Sequence, residues 1–269
     1  MMSWTGVMAA FRVKIKESLR YRGYWISDLG FTFLMALLPI MIGRGGDIDA
    51  FETLIGTRNY YGYMLLGSCA FMAIDAPLWQ MGNWFRREQQ IGTLQSIYLT
   101  PDGSMEALGG LALFCLFRSC IIAGIPFATG FVWFGLELSR GIILALAFFV
   151  IGFIPVCGIS LFIGALVLRL KETGALLNTL QMAFGLLMGM WVQVSLFPVA
   201  VRAISYALPM TWIASGVRAS IMGIPYLFGS WEADFIVLLM HSIIMPVLGA
   251  IVFLYVEKRV KMNSGVGSF

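Results

Sequence analysis

Few side chains in this sequence have the types and spacing that a reaction needs. The only histidine is His241, which excludes a multi-histidine metal site and predicts a hydrogen-bonded histidine in the last apolar stretch. Cys69, Cys115, Cys120 and Cys157 form no C-x-x-C pair, so we interpret them as small hydrophobes. No G-x-x-x-x-G-K-[ST] motif is present, so no P-loop can hold a nucleotide phosphate. We therefore expect no catalytic residue, no metal site and no cofactor bound by this chain.

Two ionisable residues, Asp75 and Arg118, lie deep within apolar stretches. Charges at this depth in a bilayer are unfavourable and are normally paired. The sequence therefore predicts either a mutual Asp75–Arg118 ion pair or a position on a substrate path. Asp28 lies nearer the inner interface, where we expect it to pair with Arg20 or Arg22.

The composition requires a membrane around these residues. Of the 269 residues, 59% are hydrophobic and 12% are charged, whereas soluble domains carry about 45–50% apolar and about 25% charged residues. This excludes a soluble enzyme, a disordered chain and a secreted disulfide scaffold. A spanning helix needs about 20 mostly apolar residues. Six stretches meet this requirement, at residues 24–43, 60–85, 105–135, 141–168, 174–197 and 234–256.

We thus predict an all-α integral membrane protein with six transmembrane helices in one domain, residues 1–269. The segments assigned to the inner side contain twelve Lys and Arg residues, and those assigned to the outer side contain five. Because basic residues concentrate on the cytoplasmic side, this asymmetry places both termini in the cytoplasm of a cell-membrane protein. Residues 44–59 then form an outer loop.

Two further segments are predicted to lie along the membrane. Residues 3–22 form an interfacial amphipathic helix on the inner surface. Its apolar side chains Trp4, Val13 and Leu19 would enter lipid, and its basic side chains Lys14, Lys16 and Arg20 would face headgroups. The outer segment 198–233 is apolar but is interrupted by three prolines, which suits re-entrant helices before the last span.

The inner loop 86–101 carries an apolar stripe at helical spacing. Ile91, Leu94, Ile97 and Tyr98 form the stripe, and Pro101 ends the helix. Such a stripe fits a helix resting on the membrane surface or a helix that docks into a groove of a soluble partner. The spacing alone leaves both interpretations open.

The fifth stretch has one small and polar face. At about 100° per residue, its polar and glycine residues fall within an arc of about 120°. They are Asn178, Gln181, Gly185, Gly189 and Gln193. The pair Gly185-x-x-x-Gly189 would allow a close approach between helices. The face could line a translocation path or a subunit seam, or it could pack within one subunit.

The inner loop contains the run Gln90-x-Gly92-Thr93-Leu94-Gln95-x-Ile97-x-x-Thr100-Pro101. This run resembles the pattern E-x-G-T-L-E-x-L-x-x-[ST]-P of ABC-2 type transporter permeases, and it lies at the same place, between spans two and three. Gln90 and Gln95 stand where the pattern has its acidic residues. A second run, Leu208-Pro209-Met210-Thr211-Trp212 through Gly216-x-Arg218 to Gly223, resembles the L-P…R…G segment before the last span of that family. Together with the six-span layout, the resemblance covers essentially the whole chain.

The resemblance implies the membrane subunit of an ATP-binding cassette exporter. Two such subunits, identical or homologous, would pair, and two separate ATPase subunits carrying ATP and Mg would bind from the cytoplasm. Residues 86–101 would be the coupling helix, with contacts from Glu88, Gln90, Ile91, Gly92, Thr93, Leu94, Ile97, Tyr98 and Pro101. The family's central path is lined by spans two and five, which favours a path or subunit-seam role for the span-five residues Asn178, Gln181, Gly185, Gly189 and Gln193. As buried charges, Asp75 and Arg118 are further candidates for this path.

The expected cargo is an amphipathic or hydrophobic small molecule, such as a drug, a natural product or a lipid-like compound, moved by alternating access. No nucleic-acid partner is expected. The alternative is a secondary transporter or channel with its own ion-coupling site, for which Asp75 and Arg118 would be the candidates. An integral membrane enzyme is a third class, and no catalytic constellation in the sequence supports it.

Overall fold

The computed structural model describes residues 3–21, 23, 25–32, 34, 48–93, 103–134, 141–170 and 174–263. Within these residues the chain is helical and contains no strand. In chain order the helices are α1 (Trp4–Arg20), α2 (Ile48–Ile55), α3 (Tyr60–Gly82), α4 (Trp84–Ile91), α5 (Gly103–Phe134), α6 (Ile142–Leu170), α7 (Gly174–Leu187), α8 (Val199–Ala207), α9 (Pro209–Met222) and α10 (Trp231–Asn263). Residues 25–32 are also helical.

Four of the described helices, α3, α5, α6 and α10, are long and apolar enough to cross a bilayer. The predicted span 24–43 lies largely outside the described residues. The predicted span 174–197 is shorter than expected, because α7 ends at Leu187 after 14 residues. A helix of that length covers about 21 Å, less than the roughly 30 Å of a bilayer core. The chain turns at Gly189, which has a φ of 74° that favours glycine.

The spanning helices pack through glycines at their crossing points. Helix α10 lies along α6, where a Cβ added at Gly249 would overlap the backbone carbonyl of Gly158. Helix α3 packs between α5 and α6. The main apolar core joins α3, α6, α7, α9 and α10 around the buried side chains of Phe148, Trp212 and Leu238. Small residues at these crossings let the helix backbones approach closely, as membrane helices require.

Helix α1 matches the predicted N-terminal helix in its extent. Ser3 caps the helix by accepting a hydrogen bond from the Gly6 N–H at 3.1 Å. The helix packs on α5, where Gly110 gives room for its backbone. The apolar side chains of Trp4, Val13 and Leu19 are exposed, as expected for lipid contact.

Residues 198–233, which the sequence assigns to the outer side, contain two short helices of different character. Helix α8 is largely exposed, whereas α9 is buried against α6 and α3. Pro209 occupies the first position of α9, and Gly223, with a φ of 68°, ends it.

In α10, His241 Nδ1 lies 2.8 Å from Val237 O and Nε2 lies 3.2 Å from Ala207 O. The expected hydrogen-bonded histidine is therefore confirmed.

Candidate functional site

A cavity of about 290 Å³ lies between α1, residues 25–32, α3 and α5. Helix α3 contributes Asp75, Trp79 and Gln80 to its wall, and α5 contributes Phe114 and Arg118. A polar cavity between spanning helices is a common location for a substrate or ion site. Both ionisable residues that the sequence predicted within spans line this one cavity.

Arg118 and Asp75 do not form the expected ion pair. The Arg118 guanidinium instead donates a hydrogen bond to the carboxylate of Asp28, in the helical segment 25–32. Asp28 therefore pairs with Arg118 and not with Arg20, which corrects a second expectation. The sequence could not indicate this pairing, because it depends on the tertiary packing that places residues 25–32, and with them Asp28, beside Arg118 in the cavity wall.

Asp75 makes no hydrogen bond or ion pair with any described residue. It lies seven residues before the end of α3 at Gly82, which is about 10 Å along the helix axis. Near it, the Ser119 hydroxyl donates a hydrogen bond to Ala73 O at 2.6 Å and holds α5 against α3. Asp75 is thus a carboxylate in a cavity wall that the described residues do not neutralise.

A network of four charged side chains joins α1 to α4 at one end of the cavity. Lys14 Nζ lies 3.0 Å from Glu17 Oε2 and 3.4 Å from Glu88 Oε1. Arg87 Nη2 lies 2.6 Å from Glu17 Oε1. Lys14 therefore faces these acids and not lipid headgroups, which corrects the predicted orientation of this residue.

The network also includes Glu88, the one acidic residue of the predicted coupling helix. Glu88 is buried, and its carboxylate accepts hydrogen bonds from Lys14 and from the Thr93 hydroxyl. Within the described residues it therefore holds α4 against α1. A direct contact between Glu88 and a second protein would have to break these bonds.

The predicted continuous helix over residues 86–101 is wrong at Gly92. Helix α4 ends at Ile91, and Gly92 adopts a φ of 80°, which a right-handed helix does not allow. Gln90, Ile91 and Gly92 are exposed at this end, and the Ile91 side chain retains 60% of its accessible surface. Leu94, Ile97, Tyr98 and Pro101 lie outside the described residues.

The predicted polar face of the fifth stretch is divided between a helix and the turn after it. Asn178 is exposed and Gln181 is partly exposed on α7. Gly185 packs against α3, because an added Cβ would lie 2.8 Å from the Phe71 ring. Gly189 is in the turn and Gln193 lies beyond it, so these two residues are not on the helix face.

Arg218 has a structural role that the sequence did not reveal. It is buried in α9, where its Nε donates to Tyr63 O at 3.1 Å and its Nη1 donates to Gly189 O at 2.8 Å. Its Nη2 donates to Met190 O, and the guanidinium lies 4.0 Å from the centre of the Tyr63 ring. Gly67 on α3 leaves the space that this guanidinium fills. The available signal was an arginine within an apolar helix, which membrane proteins normally bury with partners.

The fold and the cavity together fit a helical membrane protein with a polar site between its spanning helices. No family model matches the chain, and no curated protein matches it.

Proposed function

We propose that this chain is the transmembrane permease subunit of an ATP-binding cassette exporter. It would pair with a second permease subunit, identical or homologous, and would bind two ATPase subunits that carry ATP and Mg. In this proposal the chain lies in the cell membrane with six spans and both termini in the cytoplasm. In this proposal residues 24–43 supply a fifth span, α7 together with the turn and short helix that follow it in 174–197 completes the sixth, and 198–233 supplies the re-entrant helices.

The end of α4 is the observation that carries this proposal. Gln90, Ile91 and Gly92 are exposed there, at the start of the run that resembles the permease pattern. The exposure of Ile91 leaves this end of α4 accessible to a second protein. The partner must supply the nucleotide site, because the sequence has no P-loop.

The charge network formed by Lys14, Glu17, Arg87 and Glu88 supports a mechanical role for α4. Through Lys14 and Glu88, α4 is attached to α1, which itself packs on α5. A displacement of α4 by an ATPase would therefore move α1 and the cavity wall formed by Glu17 and Arg87. This coupling is what alternating access requires of a permease.

The test of the proposal is purification of the tagged chain from its own cells, with measurement of any ATPase subunit that it retains. Leu94→Asp would insert a charge into a desolvated contact, and we expect the ATPase-to-permease ratio after purification to fall at least about tenfold. Gly92→Val, which opposes the positive φ, should weaken binding as well. The matched control is Leu54→Asp at an exposed position on α2, on the opposite side of α3, where the ratio should not change.

A retained ATPase in both loop variants, with full transport, would contradict the proposal.

The second candidate is a secondary transporter, which the unpartnered carboxylate of Asp75 favours. Transport driven by an ion gradient without ATP, and abolished by Asp75→Asn, would support that candidate instead.

A further inference from the structure

The charged side chains around the cavity balance one another except at one position. Lys14 and Arg87 are matched by Glu17 and Glu88, with separations of 2.6–3.4 Å. Arg118 is matched by Asp28 in the same way. Asp75 is left with no basic partner among the described residues. Asp75 on α3 is therefore the charged side chain of the described cavity wall that has no oppositely charged partner.

Aromatic side chains line the same cavity as this carboxylate. Trp25, Phe31, Trp79 and Phe114 all line the cavity. The Trp79 and Phe31 side chains keep 39% and 49% of their surfaces accessible, so their rings are available to a ligand. A cation is attracted to the faces of aromatic rings, and the attraction is strongest where water is excluded. A carboxylate among such rings is the combination that selects an organic cation with an apolar body.

The wall also contains polar atoms that the protein does not satisfy. Trp25 Nε1, Thr32 Oγ1 and Gln80 Nε2 are buried and have no hydrogen-bond partner among the described residues. Buried polar groups are normally paired, so unpaired donors in a cavity wall are typical of a site that holds water or a ligand acceptor atom beside the main ligand group. The described residues form no group of three or more His, Cys, Asp or Glu side chains that could hold a metal ion, which favours an organic cation over an inorganic one.

We propose that the cavity binds hydrophobic organic cations, with Asp75 as the counter-ion and Trp25, Phe31 and Trp79 as the aromatic surface. The cavity volume of about 290 Å³ is at the lower end of the range for small-molecule pockets, about 300–1,000 Å³. This inference rests on the proposed transport function and gives its substrate class.

The test uses the purified full chain in lipid nanodiscs without any ATPase. The probe is radiolabelled benzyltrimethylammonium in equilibrium dialysis, and the competitor is neopentylbenzene, which has the same shape and no charge. We expect saturable binding of the cation and no competition by the neutral compound. Asp75→Asn should weaken binding at least about tenfold, Asp75→Glu should retain it, and Glu232→Gln, at an exposed acid of α10, should leave it unchanged.

Unchanged affinity in Asp75→Asn, or equal competition by the neutral compound, would overturn the inference. Trp79→Leu provides an independent variant at an accessible position, and we expect about fivefold weaker binding from loss of the ring. Wild-type affinity in Trp79→Leu would also contradict it. Absence of saturable binding to the wild-type chain would remove the substrate class but not the permease proposal, which is judged by ATPase binding.

Discussion

Arg118 on α5 donates a hydrogen bond to the carboxylate of Asp28, 90 residues earlier in the chain. Both side chains are largely buried, with 13% and 23% of their surfaces accessible. The pair attaches residues 25–32 to α5 and forms part of the cavity wall. Because it neutralises the arginine, the carboxylate of Asp75 remains the uncompensated charge of the cavity.

Removing one member of the Asp28–Arg118 pair should destabilise the protein. Asp28→Asn or Arg118→Gln leaves a buried charge without its partner, so we expect each to lower the free energy of unfolding by about 3–5 kcal/mol. The double variant should recover most of this loss in a double-mutant cycle of thermal unfolding. The matched control is Arg58→Gln, which opens the exposed pair with Glu52 and should change stability by less than about 1 kcal/mol. Rescue of Arg118→Gln by Asp75→Asn, and not by Asp28→Asn, would contradict the assigned pair.

Arg218 should not tolerate replacement by lysine. The guanidinium reaches three backbone carbonyls, those of Tyr63, Gly189 and Met190, and an ammonium group cannot present its donors in the same planar arrangement. Each buried carbonyl left unpaired lowers stability by about 1–3 kcal/mol, so Arg218→Lys should lower the unfolding temperature of the detergent-solubilised protein clearly. Arg202→Lys on α8, where the side chain is partly exposed, should leave it unchanged. Equal effects of the two variants would refute a specific role for Arg218.

A methyl group at the crossing of α6 and α10 should separate the two helices. The Cβ of Gly249→Ala would overlap the carbonyl of Gly158, and backbone atoms cannot move aside as a flexible side chain can. We expect a stability loss of about 1–3 kcal/mol, measured by thermal unfolding. The matched control is Gly124→Ala on α5, where an added Cβ meets nothing within 4 Å. That variant should be neutral or slightly stabilising, because alanine favours the helix.

The two ends of α3 should lie on opposite sides of the membrane. Leu54 on α2 and Ile91 on α4 are both exposed and are separated in the chain by this spanning helix. In a background without the four native cysteines, a membrane-impermeant maleimide should label Leu54→Cys in intact cells. Ile91→Cys should react only after the cells are permeabilised. Labelling of Ile91→Cys from outside would reverse the proposed orientation.

Long apolar stretches were predictable, and their precise ends and partners were not. Helices α3, α5, α6 and α10 follow from runs of apolar residues that only a bilayer or a large core accommodates. The ends of α4 and α7 depend on Gly92 and Gly189, whose positive φ values arise from the local backbone path. A hydrophobic pattern is equally compatible with a continuous helix at both positions.

The partners of buried charges were also beyond sequence reasoning. The sequence predicted that Lys14 faces lipid headgroups and that Arg118 pairs with Asp75. In the structure Lys14 contacts Glu88, and Arg118 pairs with Asp28. Depth along a span fixes a side chain's height in the membrane but not which helix lies beside it. Which of several acids at the same depth pairs with a given basic side chain depends on how the helices pack around them.

The contacts of Arg218 impose an order on the assembly of the helices around α9. During synthesis Tyr63 leaves the ribosome 155 residues before Arg218, and Gly189 leaves it 29 residues before. The carbonyls of Tyr63, Gly189 and Met190 therefore have no Arg218 donor until α9 has been inserted. Until then they must be hydrated or bound by the insertion machinery. Because contacts between distant chain segments form late, we expect the contact between Arg218 and Tyr63 to form only after α9 has been synthesised and packed.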